Sequence, residues 1–477
     1  MIALYKLSSP QVICDQYWPE HKAQYGHVDV SLHKTERLAN FTIRTFHVSS
    51  QSLGKKGDIR QVTQLQFTNW PPGGNPPNPL PLLTFIRVAL KENELRSTAM
   101  VVHTNSRNSR AGVFITIASC LKQLKTSGEV NIPSFLKQAP TKGQNLLRSA
   151  KDFIYIHDVL VEAIVAGETN IKSSYLTRYI NSLQSCQYSP SGNKYHIERQ
   201  FELLNIDFIK KDKAPEPCPD DLVWLPGYFS QKAFVLAAYP RPENMQQFWR
   251  LVLEQSVHTI VVLKSDPGHS FPDLCSSASG QQGPVIVTHR DDEISYDFKS
   301  KNFILEFGTC VRKFVKVIFS ETFLSEGESP GESLSLVESI RARNKTLSSS
   351  HQAPIIVLDS GVGGTAGAGL CALLTLADQR EHEEHCDVYQ AVKTVNMARR
   401  GEWSSPQTLL HIYRVAEMMV TRGSGGKLTS GRNIANNINM ALNRKSPFKI
   451  SINNWKNKTD PTPSIKVDIP VISDGWF

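Results

Sequence analysis

Two short segments of the 477-residue chain have residue types that could hold an anion. The first, TNSRNSRAG, runs from residue 104 to 112, and the second, DSGVGGTAGAG, runs from 359 to 369. Each follows an apolar stretch typical of a strand and precedes a stretch with the apolar spacing of a helix. This order presents backbone N–H groups at a helix N-terminus, where anions bind. It is equally typical of a tight connection that binds nothing.

Thiols and imidazoles are the other groups with possible chemistry. The eight cysteines are scattered and form no CxxC pair, so we interpret them as reduced, mostly buried thiols. His382, His385 and Cys386 lie together in REHEEHC, but no second ligand pair accompanies them. The glutamates between them favour a solvated, charged helix end. We therefore expect no metal site, and no feature of the sequence indicates a cofactor.

The elements around the two segments follow the same order, which indicates an internal repeat of low identity. In the first copy TAMVVH is typical of a strand and VFITIASCLKQLKTSG of a helix, and in the second copy PIIVL and LCALLTLADQREHEEH correspond to them. Each copy closes with an amphipathic helix, KDFIYIHDVLVEAIVAG or PQTLLHIYRVAEMMVTRG. The sequence predicts two α/β domains, residues 1–168 and 169–423, and a disordered tail, residues 424–477.

The composition narrows the class of protein. A hydrophobic fraction of 40% and a charged fraction of 20% are ordinary for a soluble globular protein. No apolar run reaches the roughly 18 residues that span a bilayer. The net charge of +9 is spread along the chain, which favours a solvated basic surface, and no nucleic-acid-binding signature accompanies it. The start, MIALYKLSSP, lacks the apolar core of a secretory signal, so we expect a cytoplasmic protein.

A series of motifs resembles the intracellular tandem domains of receptor-type tyrosine phosphatases. They are CDQYWP (14–19), QLQFTNWPPG (64–73), VVHTNSRNSRAGVF (101–114), FIYIHDVLVEAI (153–164), LPGYFSQKAFVLAAYP (225–240) and PIIVLDSGVGGTAGAGLCAL (354–373). Asp359 followed by TAGAGLCAL is most similar to the inactive second domain of receptor phosphatases gamma and zeta. The resemblance implies an α/β fold, a twisted mixed sheet flanked by helices, in two tandem copies. It also implies that the first copy is truncated at its N-terminal side and lacks the tyrosine-recognition loop.

The resemblance assigns roles to residues of the first domain. The family's reaction uses a cysteine thiolate that attacks phosphorus, an arginine that holds the phosphoryl group, an aspartic acid that protonates the leaving group and a glutamine that positions water. These positions correspond to Thr104, Arg110, Pro72 and Arg148. A threonine hydroxyl has a pKa far above neutral, and proline has no proton to donate. We therefore predict that the first domain is inactive.

The second domain departs further from the family's pattern. In one register Asp359 falls at the nucleophile position and Thr365 near the arginine position, whereas the neighbouring register places Ser360 and Ala366 there. Either register lacks both cysteine and arginine. If Asp359 is the aligned residue, its carboxylate would repel a phosphate about 4 Å away by about 4 kcal/mol per unit charge, at an effective dielectric constant near 20. Binding and catalysis are both expected to fail.

These substitutions predict a pseudophosphatase, a binding or regulatory module in phosphotyrosine signalling. Its partners would be proteins, such as a receptor phosphatase or further copies of the chain, and it would be cytoplasmic or the intracellular part of a longer receptor. One alternative is a trap that binds phosphotyrosine peptides through Arg110, although Arg107 and Ser109 replace two glycines of the family's loop. Others are a residual tyrosine phosphatase and a truncated product that does not fold stably.

Overall fold

The structure is a computed structural model, and its helices and strands form two compact units. The first unit comprises Met1–Glu168, Cys186–Lys194 and Asn433–Phe477, and the second comprises Thr169–Ser185 and Tyr195–Arg432. The residues that the structure describes are 1–4, 16–50, 59–71, 74–96, 99–104, 109–139, 145–187, 194–205, 222–264, 271, 274, 285–294, 298–308, 311–321, 323–324, 328–347, 353–359, 365–398, 403, 405–423, 450–451 and 465–467.

The first unit is built on a six-stranded sheet. Its elements are β1 (Ile2–Ala3), β2 (Lys22–Tyr25), β3 (Val28–Arg37), β4 (Phe41–Ser50), β5 (Arg60–Phe67), α1 (Leu80–Arg96), β6 (Val102–His103), α2 (Arg110–Ser127), β7 (Glu129–Val130), α3 (Ile132–Gln138) and α4 (Ala150–Val165). The strand order is β2-β3-β4-β5-β1-β6. Strands β2 to β5 pair antiparallel, whereas β1 pairs in parallel with both β5 and β6. The mixed sheet expected from the resemblance is confirmed.

Aromatic side chains link the sheet of the first unit to its helices. Phe67 on β5, Phe85 on α1 and Phe114 on α2 are almost fully buried. The ring centroid of Phe85 lies 5.2 Å from that of Phe67 and 5.9 Å from that of Phe114. Such tilted aromatic contacts add to the stabilisation that burial alone provides. They hold α2 against the sheet.

The second unit is built on a seven-stranded sheet. The elements from residue 169 to 423 are β8 (Ile171–Lys172), α5 (Leu176–Leu183), β9 (Cys186–Gln187), β10 (Lys194–Tyr195), α6 (His196–Asn205), β11 (Val223–Leu225), β12 (Phe234–Ala238), α7 (Met245–Glu254), β13 (Thr259–Leu263), β14 (Val285–Ile294), β15 (Lys299–Phe307), β16 (Val311–Ser320), α8 (Pro330–Leu347), β17 (Ile355–Asp359), α9 (Thr365–Glu383), β18 (His385–Cys386), α10 (Val388–Ala398) and α11 (Pro406–Gly423). The strand order is β11-β12-β17-β13-β16-β15-β14.

The two sheets share one arrangement of strands. In the second unit β13 pairs in parallel with β16 and β17, as β1 does with β5 and β6 in the first. Beyond β17 the second sheet continues with β12, which is parallel to β17, and with β11. Among the described residues of the first unit, β6 is the last strand of its sheet and pairs with β1 alone. The internal repeat is therefore visible in strand order as well as in sequence.

The helices that follow the segments TNSRNSRAG and DSGVGGTAGAG both begin earlier than the sequence pattern indicates. Helix α2 begins at Arg110 and α9 at Thr365, so the small residues assigned to loops lie in the first turns of helices. Close packing explains their size. A Cβ atom at Gly112 would lie 1.8 Å from the backbone oxygen of Leu146, and one at Gly369 would lie 2.3 Å from the Leu324 side chain. Both glycines therefore allow a neighbouring residue to approach the helix backbone closely, and loop flexibility is not the reason for their presence.

Only a few residues of the predicted tail are described. Within residues 424–477, β19 (Ile450–Ser451) pairs with β20 (Ile465–Val467), and β20 pairs with β7 of the first unit. The rest of that range lies outside the described residues, so disorder of the tail stays a prediction. None of the described helices is long and apolar enough to span a membrane.

Candidate functional site

Thr104, at the predicted nucleophile position of the first unit, follows directly after β6. Its hydroxyl donates a hydrogen bond to the backbone oxygen of Leu4, with an oxygen-to-oxygen distance of 3.4 Å. Leu4 itself continues β1 and donates its N–H to the oxygen of His103, 3.2 Å away. The hydroxyl therefore faces a neighbouring strand end and joins the polar contacts of the sheet.

Arg110, at the predicted phosphate-holding position, is the first residue of α2 and is only 9% exposed. Its Nη1 donates to the Leu4 oxygen at 3.2 Å, and its Nη2 donates to the Pro71 oxygen at 2.8 Å. The guanidinium carbon lies 5.6 Å from the centre of the Trp70 ring. Burial lowers the pKa of Arg110. The side chain thus connects three parts of the first unit through groups that would otherwise be available to an anion.

The general-acid position, Pro72, lies outside the described residues, but its neighbours are defined. Trp70 is buried, and its indole N–H donates to the backbone oxygen of Gly74 at 3.0 Å. Gly74 has a φ of 87°, a backbone conformation that favours glycine. The bond from Arg110 to Pro71 anchors the same segment from the other side. The described residues on both sides of Pro72 are therefore held by side chains of their own unit.

Asp152, which the sequence analysis did not single out, accepts hydrogen bonds from three parts of the first unit. Its carboxylate accepts from the Asn75 amide at 3.0 Å and from the hydroxyl of Ser109, the residue before α2, at 2.7 Å. It also accepts from the backbone N–H of Ser149 at 3.1 Å, as part of a capping box at α4. Burial raises the pKa of Asp152, but the hydrogen bonds from Ser109, Asn75, Ser149 and the backbone of Arg148 together lower it by more. The net pKa is therefore below the usual value of an aspartate. The pattern Ser-x-x-Asp was the sequence signal for this cap.

Arg148, at the predicted water-positioning glutamine position, is exposed. Its backbone N–H lies 3.4 Å from Asp152 Oδ2, so it belongs to the same capping turn. Arg148 therefore contributes its backbone to the site. Its side chain lies in solvent.

His103 and Tyr17 form a polar contact at the edge of the first sheet. The Tyr17 hydroxyl lies 2.9 Å from His103 Nε2, and the Gln64 amide donates to the same hydroxyl at 2.6 Å. Burial is the main cause of the lowered pKa of His103. The imidazole is therefore directed to the Tyr17 hydroxyl.

In the second unit Asp359 is the last residue of β17 and is 1% exposed. Its Oδ2 accepts a hydrogen bond from the backbone N–H of Gly367 at 3.0 Å. Thr365, predicted near the arginine position, is the first residue of α9, and Ala366 is the second. Ser360, the alternative nucleophile position, lies outside the described residues, as does Arg107 of the first unit. At this position the second unit carries a buried carboxylate that is bound to the start of the helix.

The side chains of Cys120, Cys371 and Cys386 are buried. Burial raises the pKa of Cys120 to about 11. Burial is also the main cause that raises the pKa of Cys386 to about 11, and it raises that of Cys371 as well. A nucleophilic cysteine requires the opposite shift, toward neutral pH or below. None of these three thiols has the character of a catalytic nucleophile.

The His382, His385 and Cys386 cluster does not converge on one point. His382 Nδ1 lies 2.9 Å from the Asp378 oxygen, and its ring contacts that of Phe229, with centroids 4.6 Å apart. His385 Nδ1 lies 2.7 Å from the Glu383 oxygen, whereas the Cys386 side chain is buried. Within the described ranges no group of three or more His, Cys, Asp or Glu residues is arranged to hold a metal ion.

Comparison with known proteins defines the family. A family profile described as protein-tyrosine phosphatase matches residues 2–162 and 222–417, more than half of the chain. The chain belongs to the protein-tyrosine phosphatase family. The two matched stretches and the receptor-type relatives confirm the resemblance to tandem receptor phosphatase domains.

The relatives are distant and longer than the chain. It is 27% identical over 463 residues to the human receptor-type tyrosine-protein phosphatase zeta, covering 86% of this chain and 19% of zeta. It is 26% identical over 444 residues to tyrosine-protein phosphatase 99A of Drosophila melanogaster, covering 85% of this chain and 33% of that relative. The chain thus spans a third or less of the length of these two proteins.

Proposed function

We propose that this member of the protein-tyrosine phosphatase family is catalytically inactive and acts by binding proteins in phosphotyrosine signalling. The observation that carries the proposal is the identity of the two residues at the strand ends, Thr104 and Asp359, where the family's reaction needs a thiolate. Neither residue can act as a low-pKa thiolate. The strands and helices around both positions persist, which supports a retained role in binding.

The surroundings of Thr104 add to this argument. Its hydroxyl donates to the Leu4 oxygen, and the imidazole of the preceding residue, His103, contacts the Tyr17 hydroxyl. An alcohol nucleophile requires an adjacent general base that accepts its proton. The sequence places proline at the general-acid position, and loss of general acid catalysis alone costs about 10² to 10⁴ in rate. Each missing role lowers the rate further.

The phosphotyrosine trap is less favoured because of the contacts that Arg110 makes. A bound phosphate would have to replace its hydrogen bonds to Leu4 and Pro71, and the guanidinium would leave a buried position. An arginine that binds phosphate presents its paired N–H groups to the ligand. In this unit both are directed to backbone oxygens.

Hydrolysis of an aryl phosphate tests the catalytic part of the proposal. The purified chain and its Thr104→Ala variant are expected to hydrolyse the substrate at the same background rate, while an active tyrosine phosphatase domain serves as the positive control. Activity in the unaltered chain that disappears in Thr104→Ala would refute the proposal. Activity that survives in Thr104→Ala but disappears in Asp359→Ala would also refute it, whereas activity that survives in both variants would indicate a contaminating phosphatase.

Association measurements test the binding part. Sedimentation velocity of the chain, alone and mixed with the intracellular region of a receptor phosphatase, is expected to reveal either self-association or a mixed complex at micromolar concentration. A chain that remains monomeric and sediments independently of the receptor domain contradicts these two partners. A tyrosine-phosphorylated peptide is a third titrant, for which binding weakened by Arg110→Ala would instead support the trap.

A further inference from the structure

The carboxylate of Asp359 lies at the convergence of three elements of the second unit. Asp359 ends β17, and its backbone pairs with Ala238 of β12 on one side and with Leu263 of β13 on the other. All three strands are parallel, so their carboxyl ends meet at one edge of the sheet. Helix α9 begins six residues later, at Thr365. The side chain is almost completely removed from solvent.

The start of α9 has backbone N–H groups that need an acceptor. The first four N–H groups of a helix lack intrahelical partners and carry partial positive charge. Helix α9 has 19 residues and has no acidic side chain in its first turn. Gly367 is its third residue, and its N–H donates to Asp359 Oδ2 at 3.0 Å. The negative charge that such a helix start favours is supplied by the preceding strand.

Gly367 makes this contact possible. A Cβ atom at this position would lie 2.4 Å from the Leu236 side chain of β12 and 3.4 Å from Asp359 Oδ2. The first distance is shorter than real Cβ contacts allow. The absence of a side chain therefore lets the start of α9 pack closely against Leu236 of β12, beside the carboxylate.

We propose that Asp359 is an internal anion, a carboxylate that permanently occupies the anion position at the start of α9 and so closes the second unit to phosphate. This inference deepens the proposed function and rests on it for the claim that the position is the family's phosphate site. The occupied position explains how the start of α9 is stabilised without an external anion. The N–H of Gly367 in turn gives the buried carboxylate a hydrogen-bond partner.

Chemical rescue by a small anion tests the proposal on the full chain. Asp359→Ala removes the carboxylate and is expected to lower the unfolding temperature of the second unit by roughly 2–12 °C. Sodium formate, compared with sodium chloride at equal ionic strength, should raise the unfolding temperature of this variant in a saturable way. The unaltered chain should show only the small shift that both salts produce.

Val357→Ala is the matched control, because it removes apolar volume from the same buried strand without vacating an anion position. Formate should not rescue it. Equal responses of Asp359→Ala and Val357→Ala to formate, or no formate-specific response of Asp359→Ala, would overturn the proposal. Such a failure would leave the absence of phosphatase activity untouched, whereas hydrolysis by the unaltered chain would refute the proposed function alone.

Asp359→Asn keeps the proposal testable if the alanine variant does not fold. The amide has the same size but no charge, so this variant should unfold at a lower temperature than the unaltered chain and show no formate rescue. An asparagine variant as stable as the unaltered chain would mean that the negative charge is not what the helix start binds, and would also overturn the proposal.

Discussion

Arg110 is the residue at which sequence and structure differ most in what they suggest. In sequence it is the arginine that the family uses to hold the phosphoryl group, and it is retained here. In the structure its guanidinium donates to the oxygens of Leu4 and Pro71 and lies over the Trp70 ring. A side chain with these contacts stabilises the unit. Its removal takes a donor from the Pro71 oxygen and from the buried Leu4 oxygen, which also accepts from the Thr104 hydroxyl.

We therefore expect Arg110→Ala to lower the free energy of unfolding of the first unit by about 1–3 kcal/mol, because the hydrogen bonds from the charged guanidinium to the Leu4 and Pro71 oxygens are lost. Urea unfolding measures this loss. Arg148→Ala is the control, since that exposed side chain should change stability by no more than about 0.5 kcal/mol. An Arg110→Ala chain that unfolds like the original but loses phosphopeptide binding would establish Arg110 as a ligand group instead.

Asp152 links stability to acidic pH. Because its pKa in the folded state is lowered, its contribution is present above the ordinary pKa of an aspartate and is lost as the pH falls through the folded value. Asp152→Asn should cost about 1–3 kcal/mol at neutral pH and flatten the acid side of the stability curve. Unfolding by urea at a series of pH values checks this, with Glu20→Gln as the surface control. If the stability of Asp152→Asn varied with pH in parallel with that of the unaltered chain, Asp152 would not be the source of the pH dependence.

At the level of secondary structure, helix α2 packs so closely against Leu146 that a side chain at Gly112 should be costly. The backbone oxygen of Leu146 lies where a Cβ atom of Gly112 would be placed. Backbone atoms move less readily than side-chain ends, so Gly112→Ala should cost at least the roughly 1–3 kcal/mol typical of overpacking. Gly331→Ala in α8 is the helical control, because its nearest neighbour would be 3.5 Å away. It should be neutral or stabilising. Thermal unfolding compares the two variants, and equal stability would contradict the packing argument.

Glu328, which lies between β16 and α8, makes the stability of the second unit depend on pH in the opposite direction to Asp152. Glu328 accepts from the backbone N–H of Leu324, and burial, with a further contribution from Glu332, raises its pKa to about 7 against the hydrogen bonds from Ser333 and Leu324. A raised carboxyl pKa means stability that is fully present below the ordinary value and is lost as the pH rises through the folded value.

Glu328→Gln should accordingly remove a decline in the stability of the second unit between about pH 5 and 8. Thermal unfolding across this range measures the slope. Glu332→Gln, an exposed neighbour on α8, should retain most of it. A slope that is the same in Glu328→Gln as in the unaltered chain would place its origin at another group.

At the scale of the whole molecule, buried thiols report on the folding of each unit separately. Cys120 belongs to the first unit and Cys371 to the second, and both are fully buried. Their raised pKa values and burial predict slow alkylation in native buffer and rapid alkylation in denaturant. Site-resolved mass spectrometry after iodoacetamide treatment measures both rates. Rapid native labelling of Cys120 alone would support the alternative in which the first unit does not fold stably.

Much of the architecture followed from local pattern. The strands before both segments, the long helices after them and the closing helices α4 and α11 were predicted from apolar periodicity and glycine positions, and the structure has them. The sequence pattern places the starts of α2 and α9 too late, because small residues are typical of loops. Their size is required by Leu146 and Leu324, which are distant in sequence, and no local pattern indicates such contacts.

The residue types at the two sites, including the absence of a cysteine at 104 and 359, follow from the covalent sequence alone. The ordered motifs likewise indicate the family without any structure. The contacts of Arg110, Asp152 and Asp359, by contrast, depend on tertiary packing. Their partners lie on strands and turns brought together by burial of the core, and the same side chains could equally have faced an open cleft. Hydrogen-bond partners are set by which backbone groups the packing leaves nearby, and that depends on the whole fold.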